Sequence, residues 1–257
     1  MKALRNATVL ITGASAGIGA ACAEAFAAAG ARLILCARRE RELKRLAARL
    51  EMHHRAQSHT LVLDVTDAAA VEQAIRDLPE AWARIDVLVN NAGLAKGLVP
   101  VYENTPEQID RMVDTNVKGL LYVTRAVVPG MVERGRGHVV NIGSTAGHGV
   151  YAGGTVYCAT KHAVGAITQG LKIDLHGTPI RVSTVDPGLV ETDFSLVRFE
   201  GDKDRADQVY STTTPLRPED VADAVVYCAS RPPHVNVAEM IVMPTVQSST
   251  TLIQRDA

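Results

Sequence analysis

The stretch ATVLITGASAGIGAACAEAFAAAG, residues 7–30, decides the fold because it makes three statements in succession. Residues 7–11 form a short, continuous apolar run, the pattern of a strand buried on both faces of a sheet. TGASAGIG (12–19) then places Gly13, Gly17 and Gly19 before a helical pattern that closes at Gly30, as a C-terminal cap would. A glycine turn between a strand and a helix lets the backbone approach a pyrophosphate seated on the helix N-terminus. Any tight strand–helix turn favours glycine, so the turn gains its weight from heading a βαβ unit.

The same alternation runs outward from this stretch. Further apolar runs occur at RLILC (32–36), TLVLD (60–64), DVLVN (86–90), HVVNI (138–142), IRVSTV (180–185) and EMIVM (239–243). Helical patterns lie between them, and Thr105-Pro106-Glu107-Gln108 has the form of a capping box with proline at the first helical position. No linker or low-complexity tract divides the chain. Strand–helix alternation with right-handed crossovers predicts an α/β protein. It is a single-domain, doubly wound Rossmann fold over residues 1–257, with a seven-stranded parallel sheet and helices on both faces. Ligands in such a sheet bind beyond the carboxyl ends of the strands.

Composition narrows the partners. A net charge of -1 provides no basic field for nucleic acid or an anionic membrane, and 4% aromatics leave little for base stacking. Cys22, Cys36, Cys158 and Cys228 have no paired spacing, which fits buried thiols in a reducing compartment. The adjacent His53 and His54 lack the spacing that puts two ligands on one helix face, so no metal is expected. The first residues imitate a secretory signal, but Gly13, Gly17 and Gly19 interrupt them and their only strongly apolar run is VLI. With no apolar stretch of ~20 residues to span a bilayer, a cytoplasmic protein is expected.

The end of the second run speaks to cofactor choice. A ribose 2′-hydroxyl calls for a carboxylate near Ala37, but the sequence reads CARRERE, with Arg38 and Arg39 where a 2′-phosphate would lie. A hydrogen bond to a charged group is worth roughly 1.5–3 kcal/mol. At about 1.4 kcal/mol per tenfold, one such contact favours NADP over NAD by roughly ten- to a hundredfold. The competing reading is a solvated helix start made by Arg38 and Arg39 with Glu40 and Glu42, acids that could hold the ribose themselves but fall past the strand end.

The glycine spacing is G-x-x-x-G-x-G, and other marks follow in order. They are Asp64 after the third run, NNAG (90–93), Asn116, Ser144, Tyr157-x-x-x-Lys161 and Pro187-Gly188. Together these resemble the short-chain dehydrogenase/reductase family over nearly the whole chain. The resemblance implies NADP contacts from Gly13, Ser15, Gly17, Ile18, Gly19, Arg38 and Arg39. It adds Asp64 and Val65 near the adenine, Asn90, Asn91, Ala92 and Gly93 closing the site, and Pro187, Gly188, Val190 and Thr192 on the nicotinamide side.

It also implies an oxidoreductase with Ser144, Tyr157, Lys161 and Asn116 as catalytic residues. Tyr157 and Lys161 lie one helical turn apart and project from one face. Tyr157 would exchange a proton with the substrate oxygen, and also touches cofactor with Lys161. Free tyrosine titrates near ~10, and the Lys161 cation with the nicotinamide is expected to lower that value. Ser144 would hold the substrate oxygen, and Asn116 would support a water linking Lys161 to solvent.

Longer strings, among them LPEAWARIDVLVNNAGLAKG, YAGGTVYCATK and DPGLVETDFSLVRFEGD, resemble the NADP-dependent 3-hydroxy acid dehydrogenases, which include serine 3-dehydrogenase and L-allo-threonine dehydrogenase. That likeness implies oxidation of the 3-hydroxyl of a small 3-hydroxy acid, or reduction of the matching 3-oxo acid or semialdehyde. The substrate carboxylate then needs a cation. Arg198, on an apparent loop among Leu196, Val197 and Phe199, is the first candidate and Lys96 the second, with Tyr151 and His148 lining the pocket or merely packing. Residues 189–212 would form a lid. Alternatives are an NADPH-dependent reductase of larger ketones, aldehydes or acyl-carrier thioesters, and a nonenzymatic NADP sensor. The family likeness further implies a homotetramer paired through helices at 106–128 and 155–175 and through the last strand.

Overall fold

A computed structural model describes residues 4–255. The apolar runs form β1 (Thr8–Thr12), β2 (Arg32–Ala37), β3 (Ser58–Val62), β4 (Val87–Asn90), β5 (Gly137–Ile142), β6 (Ile180–Pro187) and β7 (Glu239–Val242). They pair in parallel, in the order β3-β2-β1-β4-β5-β6-β7. The chain winds outward from β1 to β3 and then returns to place β4 on the other side of β1. The crevice at that reversal lies between Thr12 and Asn90, which are therefore the natural floor of a ligand site.

The central strands β1, β2, β4, β5 and β6 are buried along almost their whole length. The edge strands differ from the expectation of two buried faces: β3 and β7 are half-exposed. Each has a neighbour on one side only, so hydrophobic cover ends there. The third strand also starts two residues earlier than its apolar run, and Leu63 and Asp64 fall beyond the sheet.

Helix α1 (Gly17–Ala28) stops as its sequence implies. Gly30 takes φ +84°, and the N–H groups of Gly30 and Ala31 donate to Ala27 O and Phe26 O, closing the last turn. The helices α2 (Glu40–His54), α3 (Ala68–Arg76), α4 (Pro106–Val113) and α5 (Leu120–Glu133) follow. Thr105 and Gln108 form the expected reciprocal cap on α4. The helix expected over 106–128 is interrupted, because residues Asp114–Gly119 form a π-helical turn before α5 carries on to Glu133. Such single π turns are rare and frequent at functional sites. This one carries Asn116, which is buried.

Helix α6 (Thr155–Asp174) crosses the sheet behind the Ser144 loop, and α9 (Pro218–Ser230) packs against α1. Residues 189–212 are not an open loop. They contain α7 (Phe194–Arg198) and α8 (Lys203–Tyr210), so Arg198 ends a helix.

Candidate active site

The glycine turn is built for close approach. Gly13 and Gly17 sit at φ +67° and +51°, a region open to glycine at no steric cost. Gly19 is needed for space: a Cβ there would lie 2.4 Å from Gly13 O and 2.5 Å from Asn91 Nδ2. Asn91 braces the turn by donating Nδ2–H to Thr12 O at 2.9 Å. Thr12 Oγ1 in turn accepts from the N–H groups of Asn91 and Ala92, each at 3.0 Å. The residue before α1, Ala16, supplies no side-chain cap, and the first turn holds no carboxylate. Its N–H groups are left to an anion, which fits the pyrophosphate of a dinucleotide.

Arg39 reaches back into this turn, donating from Nε and Nη2 to Ser15 Oγ at 3.1 and 3.0 Å. Arg38 instead faces Asp64 at 3.6 Å, an exposed pair of small energetic worth. Burial pushes Asp64 up, but the Thr66 amide and hydroxyl and the Arg38 charge prevail and hold its carboxyl below the usual range. Val65 is buried beneath it, against Gly119. A forked guanidinium beside the turn and a second cation at the end of β2 fit a ribose 2′-phosphate.

Asn90, expected to close the cofactor site, points elsewhere. Its Nδ2 donates to Thr124 Oγ1 and Asn141 Oδ1, both at 3.0 Å, inside the core. Strand alternation explains this, since adjacent Asn90 and Asn91 face opposite sides. Gly93 keeps the way open to the catalytic groups: a Cβ there would lie 3.4 Å from Asn116 Oδ1 and 3.8 Å from Lys161 Nζ.

Ser144 follows β5 and Tyr157 lies in the first turn of α6, against Ser144, with Lys161 one turn on. Lys161 Nζ is 5.9 Å from the Tyr157 ring centre and donates to Ile142 O at 2.9 Å. The Asn116 amide is wholly occupied: Oδ1 accepts from Leu94 N, and Nδ2 donates to Leu94 O and Thr160 Oγ1. Thr160 passes the link to Tyr157 O at 2.7 Å. Any water relay at Asn116 is thus left to its main chain.

The electrostatics of the protein alone differ from expectation. Burial raises the Tyr157 phenol above 10, Tyr151 adds to the rise, and Arg198 and a hydrogen bond with Ser144 oppose it. Burial lowers Lys161 to about 8, while Asp186 pulls it up. In the protein alone the cation that most favours a Tyr157 phenolate is therefore Arg198, the residue expected to face the substrate carboxylate, rather than Lys161.

Arg198 lies in an aromatic cage. Its guanidinium carbon is 5.1 Å from the Phe194 ring centre, 5.2 Å from Tyr157 and 5.7 Å from Tyr151. Nη2 donates to Tyr151 OH at 2.7 Å, while the buried Nε has no hydrogen-bond partner among the described residues. Lys96 faces Glu200 at 3.7 Å and is already paired. Thr192 borders Gly17, Val190 bridges to Leu216, and Gly188 leaves the space that Gln247 Oε1 fills. His148 hydrogen-bonds Asp186 rather than facing the cage. Phe194 and Gln247 were missed from sequence; Phe194 is one of only three phenylalanines, its sole signal. A cavity of about 420 Å³ lined by Arg5, Arg32, Arg84, Arg134 and Arg136 opens at the amino ends of the strands, away from these residues.

A dinucleotide cradle joined to a serine, tyrosine and lysine at the carboxyl ends of a doubly wound sheet defines a nicotinamide-type oxidoreductase. The chain belongs to the short chain dehydrogenase family, whose profile matches residues 7–202. It is 49% identical over 241 residues to the NADP-dependent 3-hydroxy acid dehydrogenase YdfG of Salmonella typhi, covering 93% of this chain and 96% of that one. It is 48% identical over 250 residues to sulfoacetaldehyde reductase 2 of Chromohalobacter salexigens, covering 96% and 98%. Among solved structures, the closed form of serine dehydrogenase complexed with NADP+ superposes with a TM-score of 0.90 at 45% identity, covering 97% of this chain and all of that one.

Proposed function

We propose that this protein is an NADP-dependent dehydrogenase of small 3-hydroxy acids, acting also in reverse on 3-oxo acids or semialdehydes. The observation that carries the substrate class is Arg198, a permanent cation with an unpartnered buried Nε beside the Tyr157 ring. A carboxylate separated from the carbinol by one intervening carbon would meet that guanidinium while the hydroxyl meets Tyr157. Relatives named for 3-hydroxy acids support the same reading.

When bound, the cofactor would supply the hydride acceptor in oxidation as NADP+ and the hydride donor in reduction as NADPH. The chain's own residues do the rest. Gly13, Ser15, Gly17, Ile18 and Gly19 would hold the pyrophosphate at the start of α1, and Arg39 with Arg38 would take the 2′-phosphate. Asp64 and Val65 would border the adenine; Asn91, Ala92 and Gly93 line the crevice; Pro187, Gly188, Val190 and Thr192 would border the nicotinamide. Ser144 donates to the substrate oxygen and holds it against Tyr157, which takes or returns the proton at Oη. Lys161 favours the phenolate by charge, and Asn116 supports the relay to solvent through its main chain. Helices α7 and α8 exclude water.

Assaying NADP reduction with serine, allo-threonine, 3-hydroxypropionate, 3-hydroxyisobutyrate and uncharged alcohols tests the substrate class. The acids should be preferred, and Tyr157→Phe should abolish turnover with NADP binding kept. Preference for the uncharged alcohols would instead support a reductase of larger carbonyls. A second reading, a 2-sulfonated substrate, is favoured by the relative named sulfoacetaldehyde reductase 2, because a sulfonate suits the same guanidinium; sulfoacetaldehyde belongs in the panel.

A cytoplasmic homotetramer completes the proposal. Four buried thiols support a reducing compartment, and no helix among the described residues is long and apolar enough to cross a membrane. Exposed Leu121 and Val132 on α5, and Tyr227, Ile241 and Met243 around β7, support pairing through those faces.

A further inference from the structure

One buried carboxylate stands beside the catalytic groups with no part in the mechanism above. Asp186 ends β6 with its side chain 5% exposed. Oδ1 accepts from Thr184 Oγ1 at 2.7 Å, and Oδ2 lies 2.9 Å from His148 Nε2. A carboxylate only accepts, so His148 Nε2 carries the proton in that bond. Glu239 on β7 lies 3.8 Å from the same nitrogen. The three ligand-type groups come within 4.8 Å of one another, but both Asp186 oxygens already have donors, which defines a hydrogen-bonded unit.

This unit is wedged against the strand that delivers Ser144. A Cβ on Gly143 would overlap Asp186 Oδ1, at 1.7 Å, so the residue before Ser144 must be glycine to admit the carboxylate. His148 closes the 3₁₀ turn that Ser144 caps, with its N–H donating to Thr145 O. The His148–Asp186 bond therefore ties the loop between Ser144 and Tyr157 to the strand end leading into Pro187-Gly188. Lys161 on α6 is anchored beside this unit, with Nζ donating to Ile142 O at 2.9 Å one residue before Gly143, and the Asp186 charge is what opposes the effect of burial on its proton.

We propose that Asp186 is a positioning residue: held by Thr184 and His148 against Gly143, it fixes the strand end that carries Ser144 and sets a negative charge beside Lys161. This rests on the assignment of Tyr157 and Lys161 to proton exchange. The titratable groups around Asp186 are His148, Glu239 and Lys161, from the turn, β7 and α6.

The test is the pH profile of kcat for Asp186→Asn, which keeps shape and removes charge. Lys161 should lose its proton at lower pH, moving the alkaline limb down by about one unit, or tenfold in activity above it. KM for NADP should change little. His148→Ala, at a half-exposed position that spares the core, should lower kcat several-fold without moving that limb, and His148→Gln, which keeps a donor, should restore it. An unmoved limb in Asp186→Asn, or a wild-type kcat in His148→Ala, overturns the proposal. If hydroxy acids prove not to be substrates, the substrate reading fails separately, and the same limb is read on whichever carbonyl the wild-type enzyme reduces.

Discussion

Replacing Arg198 by alanine tests the substrate reading most directly. The side chain has one terminal nitrogen on Tyr151 OH, a buried Nε without a partner, and three rings within 5.7 Å. A substrate carboxylate entering the cage would satisfy that Nε–H. A hydrogen bond to a charged group contributes about 1.5–3 kcal/mol, so kcat/KM for a 3-hydroxy acid should fall roughly ten- to 150-fold. For an uncharged alcohol of similar size the same contact is absent, and the loss should be a few-fold at most. Arg198→Lys should recover only part of the difference, because an ammonium keeps the charge without the planar fork that spans ring faces and a carboxylate. The assay is initial-rate NADP reduction for the acid and the alcohol with each variant. Equal losses for the two substrates would mean that Arg198 merely supports Tyr151 and Phe194. No loss at all would make it a packing residue and remove the reason for a carboxylate substrate.

Three further outcomes are expected. Arg39→Ala should lower the preference for NADP over NAD about tenfold or more, and by more than Arg38→Ala, because Arg39 forks onto the glycine turn while Arg38 faces Asp64; equal cofactor preferences in the two variants would contradict this. Gly19→Ala should lose about 1–3 kcal/mol of stability by overpacking and weaken NADP binding measured by titration, since its Cβ would meet Gly13 O at 2.4 Å; unchanged binding would remove that turn from the cofactor site. His138 is buried against Ser183, and burial, with Arg181, drops its pKa from 6.5 to about 3. A depressed histidine contributes no penalty above 6.5 and costs stability as pH falls below it, because the unfolded chain takes up the proton first. At pH 5 that is about 2 kcal/mol, at 1.36 kcal/mol per unit. Denaturant titrations at pH 7 and 5 should show this difference shrinking in His138→Leu.

The strands and the glycine turn were legible because each depends on residues close in sequence. An apolar run reports burial on both faces, Gly30 reports the left-handed cap of α1, and Thr105-Pro106-Glu107-Gln108 reports its own hydrogen bonds. The same local logic failed at the sheet edges: β3 and β7 carry apolar runs, yet each has one neighbouring strand and stays half-exposed. It failed again at 114–119, where a buried tertiary contact between Asn116 and Leu94 accompanies a π-helical turn in a pattern that reads as one helix.

By itself the sequence determined that this chain makes a parallel doubly wound sheet and brings a serine, a tyrosine and a lysine to a dinucleotide cradle. Only tertiary structure decided which charges meet them. Arg198 comes to Tyr157 from α7, Lys96 pairs with Glu200 from the following turn, and the Asp186 charge acts on Lys161 across a strand end. The separation follows from the range of the forces. Periodicity and turn conformation are fixed by neighbours along the chain, whereas an ion's partner depends on how far apart in space two distant segments come to rest.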